Sequence, residues 1–206
     1  MKAKNSLNPA AVVDRAIAIV DAEGLDALTV RKVAEAFGVT PMALYWHFAN
    51  KDALLEAVGD AVIADLKTPA DELGLEDYLR EAMTALVDVM RARPSATPLV
   101  PQRLLVNEAG RDLTERVLDK LATAGFSVEQ SAAIAHYALI IAMTLVVGEP
   151  GAETAVKPDE RDEAHSAKLA LLQSLPADRY PRLRAAAPSM VVCGDSDDYY
   201  GTAIGI

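Results

Sequence analysis

Between residues 28 and 55, apolar side chains recur with helical spacing on both sides of a single glycine. Val30, Val33, Ala34 and Phe37 stand at i, i+3, i+4 and i+7, which makes one apolar stripe on a short helix with Thr29 as its cap. Gly38 ends that helix, because glycine takes a positive φ at no steric cost. Val39 returns to the core, and Thr40 followed by Pro41 supplies the N-cap and first position of a second short helix. Leu44 and Phe48 share its inner face, leaving Met42, Ala43, Tyr45, Trp46 and His47 on the outer arc. An exposed Tyr-Trp-His run needs an external partner, and a helix-turn-helix offers the early side chains of its second helix to base edges in the major groove of double-stranded DNA. The same spacing also occurs in helical proteins that never meet DNA, with residues such as Tyr45 and Trp46 in the core, so spacing alone leaves both readings open.

Upstream, Asn8 and Pro9 form a cap and first-position pair, and Val13, Ile17 and Val20 stripe a helix that stops at Gly24. Downstream, Asn50 and Lys51 open a fourth helix with Leu54, Leu55, Val58 and Val62, which runs to about residue 67 and fades at Thr68 and Pro69. Further helices are predicted over 75–93, 101–107, 108–124 and 127–147, with Gly125 closing one of them, and shorter ones over 168–175, 179–187 and 196–206. The stretch 148–164 carries two prolines, two glycines and clustered charge, so it predicts a solvated loop in which Asp159, Glu160, Asp162 and Glu163 form an acidic surface. The run 132–147 is apolar on every side except for His136 and Thr144, so it is expected to be buried all round, in the interior or at an interface. It is shorter than the roughly 18 to 20 residues of a membrane span, and no membrane is implied.

Composition agrees with an all-α protein of two parts. The chain has 206 residues, 51% hydrophobic and 5% aromatic, with no runs of alternating β-branched residues to support strands. Charge is uneven: residues 1–52 hold six Lys/Arg and six Asp/Glu, and the whole net charge of −10 falls on the remainder. A neutral head with Lys2, Lys4, Arg31, Lys32 and Lys51 can still meet phosphates, while an acidic body resists indiscriminate binding to DNA. Cys193 is the single cysteine, which suggests a reducing cytoplasm and a small buried hydrophobe rather than a reactive thiol. The first six residues are short and polar, without the apolar segment of an export signal. There is no phosphate-binding glycine loop, metalloprotease or nucleophile-elbow motif, and the three histidines, His47, His136 and His165, have unrelated spacings. No catalytic residue, metal or cofactor is implied. His136, within an apolar helix, suits a hydrogen-bonded core residue or a ligand contact. A helical enzyme with an unusual site, or a protein-interaction adaptor, would leave the Tyr45, Trp46 and His47 surface unexplained.

The run TVRKVAEAFGVTPMALYWHFANKDALL, within a likeness spanning about the first 65 residues, resembles the DNA-binding domain of the Tet repressor family. Its L-Y-W-H stretch, with a lysine four residues after the histidine, is similar to the tetracycline repressor branch. The resemblance implies a helix-turn-helix DNA-binding domain over 1–50 and a ligand-binding and dimerisation domain over 51–206. It implies a homodimeric, cytoplasmic regulator, most simply a repressor released from a palindromic operator by a small-molecule effector. Base-facing residues would be Arg31, Pro41, Met42, Ala43, Tyr45, Trp46 and His47, with Thr29, Tyr45 and Lys51 on phosphates. Arg31 can donate two hydrogen bonds to guanine, whereas Pro41, Met42 and Ala43 offer apolar contact. The tetracycline repressor has a polar residue where Pro41 stands, so a different operator is implied. The pocket would draw on Met83, Val87, Met90, Gln102, Leu104, His136, Tyr137, Ile140 and Met143. The histidines of the tetracycline repressor's magnesium site correspond to about Lys67 and the Leu99 and Val100 pair, which implies a largely apolar effector instead. The 132–147 helix would pack in a dimeric four-helix bundle, joined by a closing helix that opens at Asp197, Asp198, Tyr199, Tyr200 and Gly201. That helix has only about three turns before Ile206, so either the interface is smaller than usual in the family or the sequence is incomplete.

Overall fold

The computed structural model describes residues 7–151 and 158–205, which form eleven α-helices and no strand. The all-α expectation holds. The chain divides into two compact units, Met1–Met143 and Thr144–Ile206.

The first unit opens with α1 (Pro9–Glu23), a 3-10 turn (Leu25–Ala27), α2 (Val30–Phe37), α3 (Pro41–Tyr45) and α4 (Lys51–Ile63). Three of these helices carry the side-chain caps that the sequence called for. Asn8 accepts from the Ala11 N–H at 2.9 Å, Thr29 from Lys32 at 3.1 Å and Asn50 from Ala53 at 2.8 Å. Each such cap contributes about 1 kcal/mol. Gly38, at φ 67°, lets its own N–H reach Glu35 O and the Val39 N–H reach Ala34 O, the paired closure of a helix that ends on a left-handed residue. The core of this part is Val12, Val20, Leu28, Val33, Leu44, Leu54 and Val58, all essentially inaccessible. The α1 stripe is rotated from the expected one: Val12, Ala16, Ile17, Ile19 and Val20 are buried, and Val13 is only half-buried. Phe37 is also half-buried.

The unit continues through α5 (Leu75–Arg91), a 3-10 segment (Pro94–Leu99), α6 (Val100–Leu104), α7 (Glu108–Thr123) and most of α8 (Val128–Val147). The helix expected over 101–107 begins earlier, because Pro94 starts a 3-10 stretch that runs directly into α6. Here α4 passes so close to α6 that a Cβ on Gly59 would lie 2.7 Å from Arg103 Cγ and 3.2 Å from Leu99 Cβ. The approach is locked by Arg103, whose Nε and Nη2 donate to the two Asp60 carboxylate oxygens at 2.9 and 2.8 Å, with Asn107 Nδ2 at 3.3 Å from the same group. That carboxylate raises the Arg103 pKa further above its ordinary value. Thus α4, which follows directly on the α3 turn, is tied by a bidentate pair to the body.

Ser127 and Gln130 form a reciprocal cap on α8: Ser127 Oγ accepts from the Gln130 N–H at 3.2 Å and Gln130 Oε1 from the Ser127 N–H at 2.9 Å. Within the single chain α8 is buried on one side only. Ser131, Ala142 and Val146 are buried, but Tyr137, Ile140, Ile141 and Val147 are 45 to 62% exposed. At 20 residues the whole helix has the length and apolar composition of a membrane span, although the run 132–147 does not.

The second unit holds the end of α8, α9 (Pro158–Gln173), α10 (Pro181–Val191) and α11 (Ser196–Gly205), with α9 packed on α10. Pro158 opens α9 well before residue 168, so the acidic run lies on a helical first turn rather than in a loop. A leading proline and early carboxylates both favour that position. Glu160, Asp162 and Glu163 are exposed. Residues 152–157 of the expected loop, and the side chain of Asp159, lie outside the described residues. Cys193 is half-buried rather than buried, with its N–H on Pro150 O at 2.7 Å. Tyr200 is buried and donates to Glu149 at 2.9 Å, and Tyr199 donates to Leu145 O at 3.3 Å.

Candidate nucleic-acid interface

Two short helices meeting at the Gly38 turn build the site. Leu44 and Phe48 point inward, 1 and 8% exposed, as their spacing required, and they fix the opposite arc outward. On that arc Met42 is 68%, Tyr45 46% and Trp46 87% exposed, with Pro41 and His47 also exposed and Ala43 half-buried. The hydrogen-bonded helix is only five residues, so Trp46 and His47 sit in its closing turn, where the His47 N–H returns to Leu44 O at 2.9 Å. Thr40 takes the N-cap position without a side-chain cap, the Ala43 N–H bonding its carbonyl at 3.0 Å instead.

The polar members surround this arc in sequence. Arg31 projects from the first turn of α2 and donates through Nε to Glu35 Oε1 at 2.9 Å. Thr29 Oγ1 accepts from the Lys32 N–H at the α2 cap and keeps its hydroxyl proton to donate. Lys51 is half-buried at the first position of α4, beside a helix N-terminus whose free N–H groups favour anions. Lys32 pairs with Glu23 and is thereby drawn toward α1. Lys2 and Lys4 lie outside the described residues. The surface can stack apolar and aromatic groups against base edges, donate to a guanine and bind phosphate at its border.

The residues expected around an effector differ in burial, and none of them lines the cavity of about 780 Å³ between α1, α4 and α5. Val87, Met90 and Leu104 are buried, Met83 and Met143 half-buried, and Gln102, His136, Tyr137 and Ile140 exposed. That cavity lies in the first unit. It has Ile17 from α1, Val62 from α4 and Ala85 and Val89 from α5 as its apolar wall, with Asp14, Lys67, Asp88 and Arg93 among its polar groups. Gln102 instead borders a hollow of about 290 Å³ with Leu55, Glu56, Leu99 and Arg103. The sequence held one mark of the larger cavity, the small residues Ala61 on α4, Thr84 and Ala85 on α5 and Ala92 just after it, which leave space between helices.

An all-helical chain with an outward-facing reading helix, and a body with space for a ligand, defines a helix-turn-helix regulator. Residues 12–58 match the model for bacterial regulatory proteins of the tetR family, and residues 68–204 match the tetracyclin repressor-like C-terminal domain. The chain belongs to the Tet repressor family. It is 30% identical over 183 residues to the class C tetracycline repressor of Escherichia coli, covering 84% of this chain and 78% of that one. Its fold is similar to that of Streptomyces coelicolor ActR in complex with actinorhodin, with TM-score 0.71, 25% identity, and 97% of this chain and 93% of that chain covered. It is also similar to BioQ with its natural double-stranded DNA operator, with TM-score 0.61, 26% identity, and 90 and 99% covered.

Proposed function

We propose that this chain is a cytoplasmic, homodimeric repressor that sets two α3 helices in successive major grooves of a near-palindromic operator and releases it when a small molecule binds. The observation that carries this reading is the exposed Met42, Tyr45, Trp46 and His47 arc beside Arg31, held outward by buried Leu44 and Phe48. A BioQ relative bound to its operator and an ActR relative bound to actinorhodin support the two halves of the function. Thr29, Tyr45 and Lys51 take phosphates, while Arg31 and the α3 arc take bases. The functional boundary falls at residue 50, so that 1–50 reads DNA and 51–206 senses and dimerises.

Dimerisation covers the α8 face of Tyr137, Ile140, Ile141 and Val147, assisted by α11. An apolar face of this size in a regulator that needs two reading heads is best covered by the same face of a second copy. The effector is a largely apolar, drug-sized molecule, which the cavity of about 780 Å³ is large enough to hold. Magnesium-bound tetracycline is not that effector, although the class C tetracycline repressor is a relative. Lys67 would repel a cation, and the side chains of Leu99 and Val100 offer neither a ligand nor an acceptor for a metal-bound water. A DNA-release titration tests this. Release by an uncharged hydrophobic compound, unaffected by chelator, is expected, and release by tetracycline that depends on magnesium would overturn it.

A further inference from the structure

Glu35 is out of place on a surface that meets phosphate. It projects from the last turns of α2, where the helix dipole disfavours an anion, and its carboxylate would add repulsion from DNA. Its bond to Arg31 does not repay this as helix stability. The side chains are 82 and 63% exposed, and the pair has the acid C-terminal to the base at i,i+4, the weaker order. What the bond does is directional. Arg31 donates through Nε to Glu35 Oε1 at 2.9 Å, which holds the flexible side chain along the α2 surface. With Nε engaged, Nη1 and Nη2 make no hydrogen bond among the described residues, and a guanine presents O6 and N7 side by side to such a pair of donors.

We propose that Glu35 is a positioning residue for sequence recognition: it fixes the Arg31 guanidinium before DNA arrives, so that Arg31 reads one guanine end-on. This rests on the reading of α2 and α3 as the DNA interface. Ordering a long side chain in advance removes part of its entropy loss on binding, and only the cognate base collects the benefit. The device therefore trades general affinity for discrimination.

The test uses the full-length dimer and its selected operator, with every base pair of one half-site replaced in turn. Glu35→Ala is expected to lose discrimination at one base pair, by about two- to threefold, and to leave other positions unchanged. Its affinity for unrelated duplex should stay equal or rise. Glu35→Gln keeps an oxygen acceptor for Nε and is expected to restore most of the discrimination. In an Arg31→Ala background, Glu35→Ala should have no further effect at that base pair. An unchanged base-pair profile for Glu35→Ala overturns the proposal. So does an effect that persists without Arg31, since Glu35 would then touch a base itself, as a carboxylate does by accepting from cytosine N4. If Arg31→Ala alone leaves the profile flat while the operator is still bound, the assignment of Arg31 as a base reader falls first, and that result is distinct from the other two.

Discussion

The head and α8 dispose of their apolar side chains in opposite ways. In α1 to α4, Val12, Val20, Leu28, Val33, Leu44, Leu54 and Val58 are all buried against one another, and what remains outside is a compact arc around Trp46. In α8 the side chains are just as apolar, yet Tyr137 and Val147 are 61 and 62% exposed. The head buries its apolar side chains within its own chain, whereas α8 leaves a face that the proposed dimer would cover. On the proposed function, reading a half-site would be a property of one protomer, and the spacing between half-sites a property of the assembly.

The sharpest way to break this contrast is Ile140→Glu. Because Ile140 is exposed in the single chain, the substitution should leave the protomer folded and abolish the dimer. Operator affinity should fall about a hundredfold or more as the second half-site is lost. Sedimentation velocity and an operator titration check both, and a dimer that survives the charge would contradict the assignment of this face. Within the head, Leu44→Ala should lower the unfolding free energy by about 2 to 5 kcal/mol in urea denaturation. Met42→Ala, on the same helix but exposed, should change stability by less than about 0.5 kcal/mol while weakening operator binding. Arg103→Ala strands the half-buried Asp60 between α4 and α6 and should cost about 1 to 2 kcal/mol in thermal unfolding, with partial recovery in Arg103→Lys. The smallest effect is that of Lys51→Ala, which should weaken all duplexes about equally and reduce the slope of log K against log salt by about one unit.

The head was legible because its determinants are local. A cap needs one polar side chain and the N–H three residues on, and Asn8, Thr29 and Asn50 each satisfy it. Gly38 punctuates α2 by backbone conformation alone. The α1 stripe was misplaced because Val12 and Val13 are adjacent and equally apolar, so packing rather than pattern decides which one faces inward. The start of α9 was missed because its charged first turn looks like a loop by composition. The cavity was marked only by the small residues Ala61, Ala85 and Ala92, and pattern alone does not place them around one space. The Arg31 and Glu35 pair was open to view at i,i+4, but its significance depends on which face of α2 looks outward. For α8 the composition records that its surface must be covered and is silent on what covers it.

The central claim is tested most directly by selecting the wild-type dimer against a pool of random duplexes. The expected result is an inverted repeat whose half-site centres lie about 34 to 36 Å apart, one helical turn. Enrichment of no sequence, or of a lone half-site without its inverted copy, would contradict a symmetric DNA-reading dimer.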